Sequence, residues 1–176
     1  MCIVALLAEA GYGAGGQRLS LEITVPSNYT PHVDTAQVIS DQLGKIGISV
    51  SIQLVDWETW LDNVYWGRNY QATIISLDSP VVSPRSFLLR YQSDNGENFI
   101  NFASADFDRV FQAILAETDE GRRIALYKEA QRIVSNEAAS VFIQDIRLFR
   151  AFRAGAFGGV LNYPFSADDF ASMYGR

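Results

Sequence analysis

The sequence predicts an α/β fold in which a mainly parallel sheet, built from βαβ units, is flanked by helices. Residues 19–25 alternate apolar and polar side chains, which is typical of a strand, and Pro26 ends the run. Residues 32–45 follow with helical spacing, and residues 48–55 alternate again. A strand, a helix and a second strand in this order form a βαβ unit, so we expect two parallel strands joined by a right-handed crossover.

Further elements are predicted on both sides of this unit. Residues 3–10 are rich in good helix formers, and Gly11, which suits the end of a helix, follows them. Residues 56–67 form a second helix with Asp56 as its N-cap. Residues 70–77 are more continuously apolar, which favours a central strand. The apolar face of the helix over residues 32–45 is expected to consist of Val38, Ile39, Leu43 and Ile46.

The second half of the chain is predicted to be mainly helical. One helix begins after Ser104, a good N-cap, and its apolar residues recur every three to four positions. These residues are Phe107, Val110, Phe111, Ile114 and Leu115. Another helix covers residues 119–136, with an apolar side that contains Ile124, Tyr127, Ala130, Ile133 and Val134. Residues 139–153 are predicted to form one or two strands, and residues 154–176 show no clear period.

Composition and charge exclude several classes of function. The chain has 176 residues, 14 of them basic and 20 acidic, with a net charge of −6. Without a basic block it lacks the surface that binds nucleic acid or anionic lipid. The single cysteine, Cys2, excludes an internal disulfide, and the single histidine, His32, excludes a multi-histidine metal site. No apolar run approaches the ~20 residues that a bilayer requires. We therefore expect no cofactor, no nucleic-acid partner and no direct membrane insertion.

The sequence also contains no recognisable arrangement for catalysis. His32 has no nucleophile or carboxylate at helical spacing before it, and we expect it at the surface, where a helix begins. Gly11, Gly13 and Gly16 match the spacing of a dinucleotide-binding loop. That loop must follow a strand and precede a helix, and here the order is reversed. We predict that the protein is not an enzyme and has no catalytic residues.

The candidate binding residues lie where three predicted parallel strands end. Ligands of open α/β sheets bind beyond the carboxyl ends of the strands, and aromatic, amide and carboxylate groups there suit a polar organic ligand. The predicted ligand-binding residues are Asn28, Tyr29, Asp56, Trp57, Asp78, Ser79 and Pro80. The alternative is that these residues serve only as helix caps and turns. The neighbouring aromatic residues are expected to pack in the core; they are Trp60, Tyr65 and Trp66.

An ordered set of segments resembles the bacterial extracellular solute-binding proteins of family 5, which are the oligopeptide, dipeptide and nickel receptors of ABC transporters. The resemblance covers residues 5 to about 150 and depends on the order and spacing of the segments rather than on one motif. The segments are residues 5–12, the strand over 21–25, residues 41–48, Gln53-Leu54-Val55-Asp56-Trp57, Pro84-Arg85-Ser86-Phe87-Leu88, Asp106-Phe107-Asp108 and residues 116–131.

The resemblance implies both a fold and a function. Residues 1–153 resemble most of the second, C-terminal lobe of a type II periplasmic-binding-protein fold, incomplete at its N-terminus, and residues 154–176 resemble a tail that leads back to the first lobe. The implied function is that of the solute-binding component of an ABC importer. Such a component encloses a small molecule, an oligopeptide or an oligosaccharide between two lobes and delivers it to permease subunits. The alternative is the ligand-sensing domain of a cytoplasmic transcription regulator with the same fold.

The resemblance also implies where the parent protein is found and leaves its solute open. The parent would be periplasmic, or extracellular and membrane-anchored, and its export signal is absent from this fragment. In the peptide-binding members, an aspartate four residues before the proline of the 84–88 motif pairs with the peptide's α-ammonium group. Pro80 occupies that position here, and Asp78 replaces it only if the loop shifts. This weakens the expectation of a plain peptide and leaves metal chelates, opines and oligosaccharides open; Tyr29 and Trp57 would suit stacking on a sugar.

Overall fold

Two compact units make up the chain in the computed structural model, residues 1–77 and residues 78–176. The structure describes residues 3–13, 16–77, 83–145, 151, 153, 155–161 and 170–175. The first unit contains α1 (Ile3–Glu9), β1 (Leu19–Pro26), α2 (Thr30–Gly44), β2 (Ile48–Val55), α3 (Trp57–Trp60), a π-helical turn (Leu61–Trp66) and β3 (Ala72–Thr73). The second unit contains α4 (Pro84–Leu88), α5 (Ala105–Ala116), α6 (Glu120–Asn136), β4 (Phe157–Gly158) and β5 (Tyr174–Gly175), with short 3₁₀ turns at Leu89–Tyr91 and Phe170–Ser172.

The predicted βαβ unit is confirmed. β1 and β2 are parallel over their whole length, in a register that runs from Leu19 opposite Ile48 to Pro26 opposite Val55. α2 connects them, and the loop before β2 reverses at Gly47, whose φ of 86° is in the left-handed region that glycine adopts without strain. Because the two strands end level with each other, the loops that follow them begin side by side.

The third strand differs from the prediction. It pairs in parallel with β1 only at Ala72 and Thr73, and it lies at the edge of a three-stranded sheet with the order β2-β1-β3. The prediction of a central strand over residues 70–77 is therefore wrong for the described sheet. An apolar run does not by itself distinguish strand pairing from burial, and Ile74 uses its apolar side chain to pack on the core.

The core of the first unit lies between the sheet and α2. Its buried centre is formed by Ile23, Val25 and Ala36, with Val33 and Ile39 packed against it from α2. The prediction for this face is wrong only at Val38, which is exposed; Ile39 packs on the core, and Leu43 and Ile46 are partly buried. The face that is buried repeats at residues 32, 33, 36 and 39, which is also a helical spacing.

The second unit is organised around α5 and α6. The predicted N-cap of α5 is present, since the Ser104 hydroxyl accepts a hydrogen bond from the Phe107 backbone N–H. The Asp119 carboxylate caps α6 in the same way by accepting from the Arg122 backbone N–H. The buried cluster contains Leu88, Phe107, Val110, Phe111, Ile114, Ala130, Ile133 and Val134. The predicted apolar faces were too wide, since Leu115 and Ile124 are exposed.

Two predictions about the C-terminal part of the chain need correction. Residues 139–145, predicted to begin a strand, form no strand, and residues 146–150 of the same prediction lie outside the described residues. In the tail, for which no period was found, β4 and β5 form a short antiparallel pair between Phe157–Gly158 and Tyr174–Gly175. Pairs of this length leave too few residues for an alternating pattern to be read from sequence.

Candidate functional site

The carboxyl ends of β1 and β2 bring the first two predicted binding loops together. The backbone N–H of Ser27 donates a hydrogen bond to the Val55 carbonyl oxygen at 2.8 Å, which ties the two strand ends to each other. The rings of Tyr29 and Trp57, one from each loop, lie edge to face with centroids 5.6 Å apart. The predicted adjacency of these two loops at one edge of the sheet is present in the structure.

Three aromatic residues form a continuous surface at this edge, which we call the aromatic shelf: Tyr29, Trp57 and Trp60. Trp57 stacks on Trp60 with an interplanar angle of 10° and a centroid distance of 5.2 Å. Tyr29 and Trp57 expose 39% and 37% of their surface, whereas Trp60 exposes 1%. The shelf therefore offers two partly open rings supported by one buried ring, an arrangement suited to the apolar or planar part of a ligand.

Hydrogen bonds connect the buried ring of the shelf to the sheet. The indole N–H of Trp60 donates to the Thr73 hydroxyl at 2.9 Å, and that hydroxyl donates to the Thr24 carbonyl oxygen at 2.7 Å. The expectation that Trp60 packs in the core is confirmed. The sequence did not single out Thr73, because a threonine in a strand has no distinguishing pattern.

Trp66 corrects the expectation that every neighbouring aromatic residue is packed, since 67% of its surface is exposed. Trp66 comes nine positions after Trp57, which at 3.6 residues per turn places it on the opposite side of a helix. It is also the last residue of the π-helical turn Leu61–Trp66, in which the Gly67 N–H donates to the Asp62 carbonyl oxygen, five residues earlier, at 2.8 Å. The expectation that every aromatic residue near Trp60 packs was therefore too broad.

Asp56 performs the capping role that the sequence predicted for it. Its carboxylate accepts hydrogen bonds from the Thr59 backbone N–H at 2.9 Å and from the Thr59 hydroxyl at 2.7 Å. The hydrogen bond from the Thr59 backbone is the main cause that lowers the pKa of Asp56. The side chain is exposed and stays ionised, so it places a negative charge beside Trp57.

His32 was expected at the surface, and the structure buries it to 7% exposure. Its Nε2 lies 2.8 Å from the Ser76 hydroxyl oxygen, and its ring lies 5.1 Å from that of Tyr29. Burial lowers its pKa, because the charged imidazolium loses hydration. Its Nδ1 is buried and has no hydrogen-bond partner in the part of the chain that the structure describes. A signal in the sequence was its position seven residues before Ile39, which places both residues on one face of a helix.

Of the remaining predicted binding residues, the structure describes only Asn28. Asn28 is exposed between β1 and Tyr29. Asp78, Ser79 and Pro80 lie outside the described residues. Where the chain is described, His, Cys, Asp and Glu side chains form no group of three or more that could hold a metal ion. None of the helices in the described ranges combines the length and apolar character that crossing a membrane requires.

A cavity at the other ends of the strands has a different character. It has a volume of about 470 Å³, is open to solvent, and is lined by Arg18, Ser40, Gly44, Gly47, Ile48, Ser49 and Val50. No aromatic side chain lines it, and it lies at the amino ends of β1 and β2. Ligands of open α/β sheets bind at the carboxyl ends, so the aromatic shelf is the stronger candidate for a binding site.

Comparison with known proteins identifies the chain's relatives. A probable deoxycholate-binding periplasmic protein of Escherichia coli is 29% identical over 161 residues, which are 91% of this chain and 30% of that protein. Di/tripeptide-binding protein 2 of Pseudomonas aeruginosa is 30% identical over 174 residues, which are 96% of this chain and 32% of that protein. The chain thus spans about a third of the length of these relatives.

Structural comparison agrees with the sequence comparison. The ABC transporter-associated periplasmic binding protein DppA of Helicobacter pylori, solved in complex with the peptide STSA, has a TM-score of 0.66 and 26% identity. The alignment covers 77% of this chain and 27% of that protein. The predicted fold class, a lobe of the type II periplasmic-binding-protein fold, is confirmed. Residues 4–99, more than half of the chain, match the model for the middle region of the family. The chain therefore belongs to the bacterial extracellular solute-binding proteins, family 5.

Proposed function

We propose that this chain is most of the second lobe of a solute-binding protein that serves an ABC importer. Residues 1–153 form that lobe, and residues 154–176 lead back towards the other lobe of the parent protein. The observation that carries the proposal is the aromatic shelf, because partly open rings at the carboxyl ends of parallel strands are placed where such folds bind ligands. Membership of family 5 supports the same function.

The proposed solute is peptide-like or another small polar molecule, and it contacts the shelf through Tyr29 and Trp57. Asn28 and Asp56 lie beside these rings and provide an amide and a carboxylate for its polar groups. Asp78, Ser79 and Pro80 are included in the proposed site on the sequence alone. Enclosure between two lobes excludes water and strengthens the polar contacts, so binding requires no catalysis and no cofactor.

The parent protein acts outside the cytoplasm and hands its solute to permease subunits. The names of the relatives support this, since both similar sequences and the similar structure are binding proteins described as periplasmic or as binding di- and tripeptides. The same names favour the importer over the ligand-sensing domain of a transcription regulator, which the sequence left open. They also favour a binding protein over an enzyme.

Calorimetry of the parent protein tests this function. The probes are trialanine, sodium deoxycholate, maltotriose and a nickel chelate, which represent a peptide, an amphiphile, a sugar and a metal complex. We expect one probe class to bind the parent, and the 176-residue chain alone to bind the same probe far more weakly because half of the enclosure is missing. Equal affinity of the parent and the isolated chain would contradict the two-lobe proposal, and a parent that binds no probe would contradict the proposed function.

A further inference from the structure

We propose that Thr73 is a positioning residue for the solute site: its hydroxyl holds Trp60, and Trp60 sets the orientation of Trp57. The inference rests on the proposed function for its consequence in binding, but its structural content is independent of any solute. Thr73 lies in the short edge strand β3 and is not one of the predicted binding residues, and no sequence pattern distinguishes it.

The chemistry of the partner groups fixes the direction of both hydrogen bonds at Thr73. An indole N–H can only donate and a backbone carbonyl oxygen can only accept. The hydroxyl must therefore accept from Trp60, at 2.9 Å, and donate to the Thr24 carbonyl oxygen, at 2.7 Å. Both bonds together leave the hydroxyl one orientation, so it acts as a rigid link between the indole and the sheet.

The Thr73 hydroxyl connects Trp60 to the middle strand of the sheet. Thr73 is the register partner of Thr24 in the pairing of β3 with β1, the middle strand of the described sheet. Thr24 itself is buried. The indole of Trp60 is thus tied to the most extensively paired strand, while its backbone belongs to the short helix α3.

The indole of Trp60 in turn contacts the indole of Trp57. Trp57 and Trp60 are three residues apart, on one side of the same helix, and their rings are nearly parallel at 10°. A parallel stack transmits the tilt of one ring to the other, since each tilt opens a gap on one side of the contact. Tyr29 contacts Trp57 edge to face at an interplanar angle of 72°, so it leaves the plane of Trp57 to be set by Trp60.

Removal of the Thr73 hydroxyl should free the Trp60 and Trp57 rings from this fixed orientation without changing the volume of the side chain at position 73. Thr73→Val keeps the volume but leaves the buried indole N–H facing a methyl group. The indole then rotates to reach another acceptor, and Trp57 follows it. Thr73→Ser keeps the hydroxyl and loses only the methyl group, so it is the matched control.

Circular dichroism of the 176-residue chain tests the positioning directly. Two indoles in close contact give an exciton couplet whose size and sign depend on their relative orientation. The Trp66→Phe background leaves Trp57 and Trp60 as the one indole pair, because the chain has 3 tryptophans. We expect Thr73→Ser to keep the couplet and Thr73→Val to lose most of it while still unfolding cooperatively in urea. Should Thr73→Val fail to fold, Thr73→Ala replaces it. A couplet in the hydroxyl-free variant equal to that of Thr73→Ser would overturn the inference.

Calorimetry of the parent protein with the four probes named above separates this inference from the proposed function. We expect Thr73→Val to weaken binding of the recognised probe about tenfold, the factor that a net hydrogen bond of ordinary strength represents, and Thr73→Ser to leave it nearly unchanged. Loss of the couplet in the 176-residue chain, together with a parent that binds no probe, would uphold the positioning role and refute the function. An intact couplet with unchanged binding would refute the positioning role and uphold the function.

Discussion

Replacing Trp57 with alanine tests whether the open ring of the shelf contributes to binding beyond its contribution to folding. Truncation of a fully buried tryptophan costs about 3–5 kcal/mol of unfolding free energy. Trp57 is 37% exposed, so burial accounts for roughly two thirds of that value, about 2–3 kcal/mol. If the ring also contacts solute, binding by the parent protein should weaken by about 2 kcal/mol, or roughly thirtyfold.

The other two tryptophans provide matched controls on the same stretch of chain. Trp60→Ala should cost the full 3–5 kcal/mol or so, because Trp60 is 1% exposed. Trp66→Ala should cost about 1 kcal/mol, because Trp66 is 67% exposed, and should leave binding unchanged. Urea unfolding gives the stabilities, read from the fluorescence of the remaining tryptophans, which all lie in the first unit. Calorimetry of the parent gives the affinities.

Two outcomes would refute the reasoning about Trp57. If Trp57→Ala and Trp66→Ala had equal, small effects on binding, the shelf would not contact solute. If Trp57→Ala destabilised the chain as much as Trp60→Ala, Trp57 would belong to the core, and its partial exposure would have no functional meaning.

Two further predictions concern features of α2 that the sequence did not reveal. Burial lowers the pKa of His32 below its ordinary value of 6.5, so as the pH falls the imidazole is protonated in the unfolded chain before it is protonated in the folded one. The contribution of His32 to the free energy of unfolding should therefore be fully present above pH 6.5 and decrease as the pH falls below it. Urea unfolding between pH 8 and 5 should show this slope and its reduction in His32→Gln, and an unchanged slope would assign it to other groups. The register of α2 is tested by thermal unfolding: Ala36→Leu should cost about 1–3 kcal/mol by overpacking, and Val38→Ala less than about 0.5 kcal/mol. Equal effects of these two substitutions would contradict the observed helix face.

Local patterns predicted those parts of the fold that local interactions decide. The alternation in residues 19–25 and 48–55 identified both long strands, and the helix between them implied their parallel pairing. Asp56 and Ser104 were recognisable as caps because a cap bonds the backbone within its own first turn. The adjacency of the Tyr29 and Trp57 loops followed from the parallel pairing.

The predictions from sequence were wrong where two local structures fit the residue pattern equally well and only tertiary packing decides between them. In α2, Val38 fits a helical face with Ile39 as well as Val33 and Ala36 do, and only contact with the sheet leaves Val38 outside the buried face. The apolar segment 70–77 could pair along its whole length or only pack on the core; it pairs only at Ala72 and Thr73 and is at most partly buried. Trp66 is exposed because it lies on the side of its helical segment opposite to Trp57, and nearness to Trp60 in the sequence was a poor guide to packing.

The sequence by itself determined the α/β class, the βαβ order, the helix caps and the family, because these depend on residues close together in the chain or on their order along it. Only the tertiary structure decided that His32 is buried against Ser76 and that Thr73 links Trp60 to Thr24. Those partners are separated by 44, 13 and 49 positions. Hydrogen bonds over such separations form only after the sheet and helices have packed, so the periodicity of apolar residues within a short segment cannot predict them.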